Sequence, residues 1–157
     1  MPLKIRKAKE EDASIVVEFL WALYKELGEE AHSTNFLTEK LILEMFRSGR
    51  TEIFFALRAE EIIGLMTLTE SQAIYAGGKF GVIDEMFVKK EFRKCAVGKK
   101  LIEKALETAR EKNWKRIDVT APTEEKWKRT VKFYEQNGFI FTGPKLKIII
   151  NDANKMS

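Results

Sequence analysis

Apolar and polar residues change their spacing several times along the chain, and each change marks an element. Leu3 to Lys7 alternates with period two, as a short half-buried strand does. Lys9-Glu10-Glu11-Asp12 then sets acidic side chains where a helix N-terminus favours them. Ile15, Val16, Phe19, Leu20, Leu23 and Leu27 recur at helical spacing, and Gly28 offers the stop. A second helix is predicted from Thr38, as its cap, to about Ser48 before Gly49, with residues 29–37 as the loop between the two. From Glu52 the period falls to two. Ile53 to Arg58 and Ile62 to Thr69 are predicted strands joined through Ala59-Glu60-Glu61 as a hairpin, residues 71–79 form a second connection around Gly77-Gly78, and Phe80 to Val88 is the next strand. Val97, Leu101, Ile102, Ala105, Leu106 and Ala109 line one stripe of a helix over 97–112. Ile117 to Thr120 follows as a short strand and Glu124 to Asn137 as a last helix before Gly138. Phe139 to Phe141 and Lys145 to Ile150 close the chain as strands.

Antiparallel hairpins early and a strand-helix-strand-helix-strand passage later imply an α/β fold, with a mixed central β-sheet flanked by helices on both faces. Such an order differs from a doubly wound dinucleotide fold. No internal repeat, low-complexity tract or Pro/Gly/Ser-rich linker interrupts it, so residues 1–157 are expected to form a single domain.

Composition narrows the chemistry. The chain is 45% hydrophobic and 33% charged with both signs interspersed, the balance of a globular protein. No run approaches the ~20 apolar residues of a membrane span, and the N-terminus has no signal-peptide core; a cytoplasmic protein without a membrane partner is expected. Cys95 is the one cysteine and His32 the one histidine, which argues against a disulfide, a metal site or a Ser-His-Asp triad. A net charge of +4 suits an anionic partner without choosing between nucleic acid and a phosphorylated cofactor. Because the lysines and arginines alternate with many glutamates and no base-stacking motif is present, no nucleic-acid partner is expected.

The most informative stretch is Val82-Ile83-Asp84-Glu85-Met86-Phe87-Val88, followed by Lys89 to Lys94 and by Ala96-Val97-Gly98 at the start of the strong helix. A helix N-terminus presents unpaired N–H groups and partial positive charge, so it holds a phosphate through backbone donors. Small residues at 96 and 98 let an anion come close, and Arg93, Lys94, Lys99 and Lys100 add charge around it. Position 93 is arginine and position 100 lysine, which excludes a P-loop, and a Rossmann fingerprint needs three glycines where only Gly98 stands.

The segment resembles the R-x-x-G-x-G/A pyrophosphate loop of the GNAT superfamily of N-acetyltransferases, here Arg93-x-x-Ala96-x-Gly98. Alanine replaces the first glycine, which keeps the position small and preserves binding provided residue 96 has a negative φ. Phe133-Tyr134-Glu135-Gln136-Asn137-Gly138-Phe139 is similar to the family's F-Y-E-x-x-G-F signature, and the whole order of elements follows the family's. Trp127 and Thr130 stand where the family often places Asn and Ala, a departure that bears on contacts to the pantetheine arm.

The resemblance implies an acetyl-CoA-dependent N-acetyltransferase working by direct attack of an amine, with acetyl-CoA as cosubstrate and no metal. The acceptor would be a small-molecule or peptide amine. It implies a bulge in the central strand, with backbone groups of Met86, Phe87 and Val88 pairing with the pantetheine and polarising the thioester. Arg93, Lys94, Ala96, Val97, Gly98 and Lys99 would hold the pyrophosphate. Tyr134, which also touches the cofactor, would be the general acid for the departing thiolate. Glu85 and Asp84 are favoured as the base over Asp118. Being adjacent in a strand, Asp84 and Glu85 are expected to point to opposite faces, so that at most one faces the acceptor.

Glu26, Glu29 and Glu30 near Trp21 and Tyr24 read either as a cation-holding cluster or as an ordinary acidic helix end, and the second reading has more weight. His32 reads as a loop residue and Cys95 as small and inert. Exposed sheet edges often pair in this family, which brings the expectation of a homodimer. A non-catalytic acetyl-CoA-binding module is the alternative function.

Overall fold

The computed structural model describes residues 2–28, 35–120, 128–143 and 145–150. These fall into two compact units, Met1–Val119 and Thr120–Ser157. The first carries β1 (Leu3–Lys7), α1 (Ala13–Glu26), α2 (Glu39–Arg47), β2 (Thr51–Arg58), β3 (Glu61–Ala73), β4 (Gly78–Val88), α3 (Val97–Glu111) and β5 (Ile117–Val119). The second carries α4 (Lys128–Gln136).

Five strands form one sheet in chain order, antiparallel from β1 to β4 and parallel between β4 and β5. This is the mixed α/β sheet that the pattern of the sequence predicts. Alternation sorts its side chains onto two faces. Ile53, Phe55 and Leu65 join Val16, Phe19, Leu20 and Ile42 in a core shared with α1 and α2. The intervening side chains of β2 point the other way, where Lys104 of α3 lies over the Phe54 ring. α3 buries Val97, Leu101, Ile102, Ala105 and Ala109, five of the six residues in its apolar stripe; Leu106 stays exposed.

Local signals explain most boundaries. Thr38 caps α2 by accepting the Leu41 N–H at 3.2 Å, and Asp12 closes the turn before α1 by accepting the Lys9 N–H at 2.8 Å and the Arg6 guanidinium at 2.9 Å. The β2–β3 hairpin turns on Ala59 and Glu60, both with positive φ, between the paired residues Arg58 and Glu61.

Two expectations need correction. Residues 71–79 are mostly strand: β3 runs on to Ala73 and β4 begins at Gly78, leaving a short turn over Ile74–Ala76. Polar Glu70, Ser71 and Gln72 read as a connection, but their backbones pair with Gly81, Phe80 and Lys79, and the Glu70 carboxylate accepts Trp114 Nε1 at 2.8 Å. The second correction concerns Phe139–Phe141 and residues 145–150, neither of which forms a strand. Ile140, Leu146 and Ile150 are exposed, so the apolar character that suggested strands there is not backed by burial. The final helix is described from Lys128 on, and its expected start at Glu124 lies outside the described residues. No helix among the described residues is long and apolar enough to cross a membrane.

Candidate active site

The site begins with an irregularity between β3 and β4. Thr67 pairs with Glu85 but the next residue, Leu68, pairs with Ile83, so Asp84 is an extra residue bulged out of the ladder. Ile83 therefore shares a face with Leu68, while Glu85 shares one with Thr67. The Asp84 carboxylate accepts Thr69 Oγ1 at 2.6 Å on that same Thr67 face. Both carboxylates consequently line one cavity. This corrects the expectation that the two side chains point to opposite faces, because strict alternation fails where a residue is inserted.

The cavity has a volume of about 330 Å³ and lies between the sheet and the helices α1 and α2. Its floor carries Thr51, Thr67 and Thr69 beside the two acids. Glu85 is half-buried; it accepts from Tyr24 Oη at 3.0 Å and from Thr67 Oγ1, whose own oxygen accepts the Glu85 N–H at 2.9 Å. Burial raises the Glu85 carboxyl above its ordinary range and the Asp84 charge adds to the rise, against the lowering effect of the Thr67 and Tyr24 hydrogen bonds. A carboxylate so placed takes up a proton more readily than a solvated one.

β4 outruns its neighbour. β5 pairs with Gly81, Val82 and Ile83 alone, so from Asp84 to Val88 no described strand covers that edge of β4. Met86 and Phe87 thus lie on an edge able to take an extended ligand as an added strand. The Val88 carbonyl is engaged by Arg93 Nε at 2.8 Å.

The chain then turns into α3. Ala96 has φ 61° and ψ 20°, a left-handed conformation, so the negative φ on which the alanine substitution depended is not present. A left-handed residue followed by a right-handed one makes successive N–H groups converge into an anion-binding concavity, the arrangement glycine adopts without strain. The first helical hydrogen bond runs from Lys100 N–H to Ala96 O at 3.1 Å, which leaves the N–H groups of Val97, Gly98 and Lys99 at the open end of the helix. Val97 itself is buried, and its Cγ1 would lie 3.2 Å from a Cβ placed on Gly64, so a glycine in β3 lets this helix end settle against the sheet.

The other expected residues are distributed as follows. Lys94 and Lys99 are exposed at the same turn. Arg93 reaches toward α1, pairing with Glu26 at 2.6 Å and lying 5.4 Å above the Phe87 ring. Glu26 is thereby tied to the loop; Glu29, Glu30 and His32 lie outside the described residues, as does Trp127. Cys95 is half-buried in the turn before Ala96. Asp118 forms a two-pronged pair with Arg116 at 2.8 and 2.9 Å and does not line the cavity. Tyr134 belongs to the second unit, where its buried ring meets Phe133 and Phe139 edge-on and burial pushes its phenol up to about 12. No cluster of three or more metal-ligating side chains occurs among the described residues.

Sequence reasoning did not single out Thr67, Thr69, Phe36, Met45 or Gly64. Thr67 and Thr69 had a usable signal, two hydroxyls at period two within an apolar strand, and Gly64 another, a lone glycine in a strand interior.

The sequence model of the Acetyltransferase (GNAT) family matches residues 16–139. An uncharacterised N-acetyltransferase of Archaeoglobus fulgidus is 30% identical over 114 residues, covering 72% of this chain and 78% of its own. Among solved structures, an aminoglycoside acetyltransferase from an uncultured soil metagenomic sample, in complex with sisomicin, superposes with a TM-score of 0.77 at 17% identity over 95% of both chains. The ribosomal-protein-alanine N-acetyltransferase of Brucella melitensis biovar Abortus 2308 does so with a TM-score of 0.75 at 18% identity, over 96% of this chain and 100% of its own.

Proposed function

The chain belongs to the GNAT acetyltransferase family and is an acyltransferase, and from that premise we propose that it moves the acetyl group of acetyl-CoA to a primary amine by direct attack. The observation that carries this reading is the bulge at Asp84. It brings Asp84 and Glu85, the latter a carboxylate of raised proton affinity, to one cavity, on a strand whose edge no described strand covers from Asp84 to Val88.

In this reading the N–H groups of Val97, Gly98 and Lys99 hold the pyrophosphate, with Lys94 adding charge. Ala96 shapes the concavity. Backbone groups of Met86 and Phe87 align the pantetheine arm, and one of their N–H donors polarises the thioester carbonyl, a contact typically worth about 10²–10³ in rate. An amine arriving protonated loses its proton to Glu85, directly or through one water. Its nitrogen forms the new bond to the carbonyl carbon as the carbon–sulfur bond breaks, and the second proton shed by that nitrogen passes to the departing sulfur, which leaves as the thiol. Tyr134, held protonated by burial, donates to the departing sulfur; with its phenol at about 12 it is better suited to a hydrogen bond than to complete transfer. Glu85 is preferred to Asp118, whose carboxylate is occupied by Arg116.

The test is acceptor-dependent thiol release with acetyl-CoA, run on the wild type and on Asp84→Asn, Glu85→Gln and Asp118→Asn. Loss of the base should cost about 10²–10⁴-fold in kcat/KM and remove the acidic limb of the pH profile in Glu85→Gln alone. An unchanged limb in that variant would remove Glu85 from the role. Acetyl-CoA binding without thiol release for any amine would overturn the amine reading.

A further inference from the structure

Leu20 and Tyr24 stand one turn apart on the face of α1 that lines the cavity. Leu20 is buried in the core. Tyr24 is half-buried, with its ring edge-on to Phe36 at 6.3 Å between centres and its hydroxyl donating to Glu85 Oε2 at 3.0 Å. The other carboxylate oxygen, Oε1, accepts from the Thr67 hydroxyl of β3. One donor on each oxygen, from two different elements, fixes the plane of a carboxylate whose last torsion is otherwise broad. An ionised carboxylate accepts at about four lone-pair sites, so these two bonds do not close it to an incoming ammonium.

Resting on the reading of Glu85 as the base of acetyl transfer, we propose that Tyr24 is a positioning residue of the reaction, which fixes the Glu85 carboxylate from α1 and holds it in its charged form. Burial is the main influence raising the proton affinity of that carboxyl, and the Asp84 charge adds to it; the hydroxyls of Thr67 and Tyr24 act the other way. Among the described residues, Asp84 on β4 and Tyr24 on α1 are the titratable groups that line the cavity with Glu85. β2 and β3 bring only the hydroxyls of Thr51, Thr67 and Thr69 and the apolar Ile53, and α2 brings apolar side chains. A base that already carries a proton cannot take one from an amine. Tyr24 therefore extends, at its acidic end, the pH range over which Glu85 works.

Two readouts on the full chain test this: the titration of the Glu85 side-chain carboxyl followed by carbon-13 NMR, and the pH profile of kcat/KM for thiol release from acetyl-CoA, with the fastest of phenethylamine, spermidine and triglycine as acceptor. Tyr24→Phe keeps the ring against Phe36 and takes away one of the two donors. Both midpoints should rise by about one pH unit, because a hydrogen bond to a charged group is worth roughly a factor of ten or more. Below the limb kcat/KM should fall about ten-fold, and much less above it. 3-Fluorotyrosine at position 24 has a more acidic phenol that donates more strongly, and it should move both midpoints down. An unmoved carboxyl titration in Tyr24→Phe would overturn the proposal, as would a loss of kcat/KM equal at every pH, which marks a purely structural part. A titration that moves while the limb stays would refute Glu85 as the base and, with it, this role for Tyr24.

Discussion

Replacing Ala96 with glycine should stabilise the protein, although it removes a methyl group and loosens the unfolded chain. Ala96 holds φ 61° at the N-terminus of α3, where an L-residue with a Cβ costs about 1–2 kcal/mol relative to its right-handed form. Glycine removes that cost and gives back about 0.4–1 kcal/mol through the extra freedom of the unfolded chain. The net gain is about 0.5–1 kcal/mol. For a chain of this length each kcal/mol moves Tm by roughly 2–4 °C, so the expected rise is about 1–4 °C. Scanning calorimetry together with urea melts would measure it, and an unchanged m-value would show that both states kept their exposed surface. Ala96→Val is the matched control: a β-branched residue tolerates this conformation least and should lower Tm. Acetyl-CoA affinity should be kept or tightened in Ala96→Gly, because the concavity of N–H groups is then formed without strain. A fall in Tm on introducing glycine, or a neutral Ala96→Val, would show that residue 96 is not left-handed in solution.

Glu85→Gln should separate activity from stability. A folded-state pKa above the ordinary 4.5 means that wild-type stability linked to this group is full at low pH and declines as pH rises through the raised value. The variant lacks that decline, so its stability relative to the wild type should increase from pH 4.5 upward in urea melts, even as thiol release collapses. Tyr134→Phe should lower kcat with little change in acetyl-CoA affinity; turnover at the wild-type level would take Tyr134 out of the reaction. Gly81→Ala should destabilise by about 1–3 kcal/mol, since its Cβ would meet the Trp114 ring at 2.3 Å and displace an indole whose Nε1 bonds Glu70. Near-UV circular dichroism and calorimetry would register the displaced indole, and a wild-type Tm would contradict the contact.

The elements that could be read from the sequence are those whose signal is local. The stripe from Val97 to Ala109 needs only the helical period, and Thr38 needs only its own hydroxyl three residues before the Leu41 N–H. The loop before α3 was legible as residue types, but not the positive φ of Ala96, which an alanine does not announce. Pairing is not local at all. β3 extends past Thr69 because β4 lies opposite, a pairing that polar Ser71 and Gln72 do not announce. The shared face of Asp84 and Glu85 was hidden for the same reason: nothing in either residue announces that Ile83 will pair with Leu68.

That extra residue has a consequence for how the site can change over generations. Along β4 the side to which a residue points is decided by counting from the partner strand, so Glu85 reaches the cavity because it stands opposite Thr67, and Asp84 joins it there because it is surplus to the count. Substitutions can alter what chemistry stands there. They cannot alter the side. Loss of the codon for Asp84 would close the ladder into a regular one, with Glu85 next after Ile83 and still opposite Thr67, so the cavity would lose one carboxylate and keep the other. The second carboxylate at the cavity is therefore due to the length of the strand, and a one-residue deletion would remove it without disturbing the first.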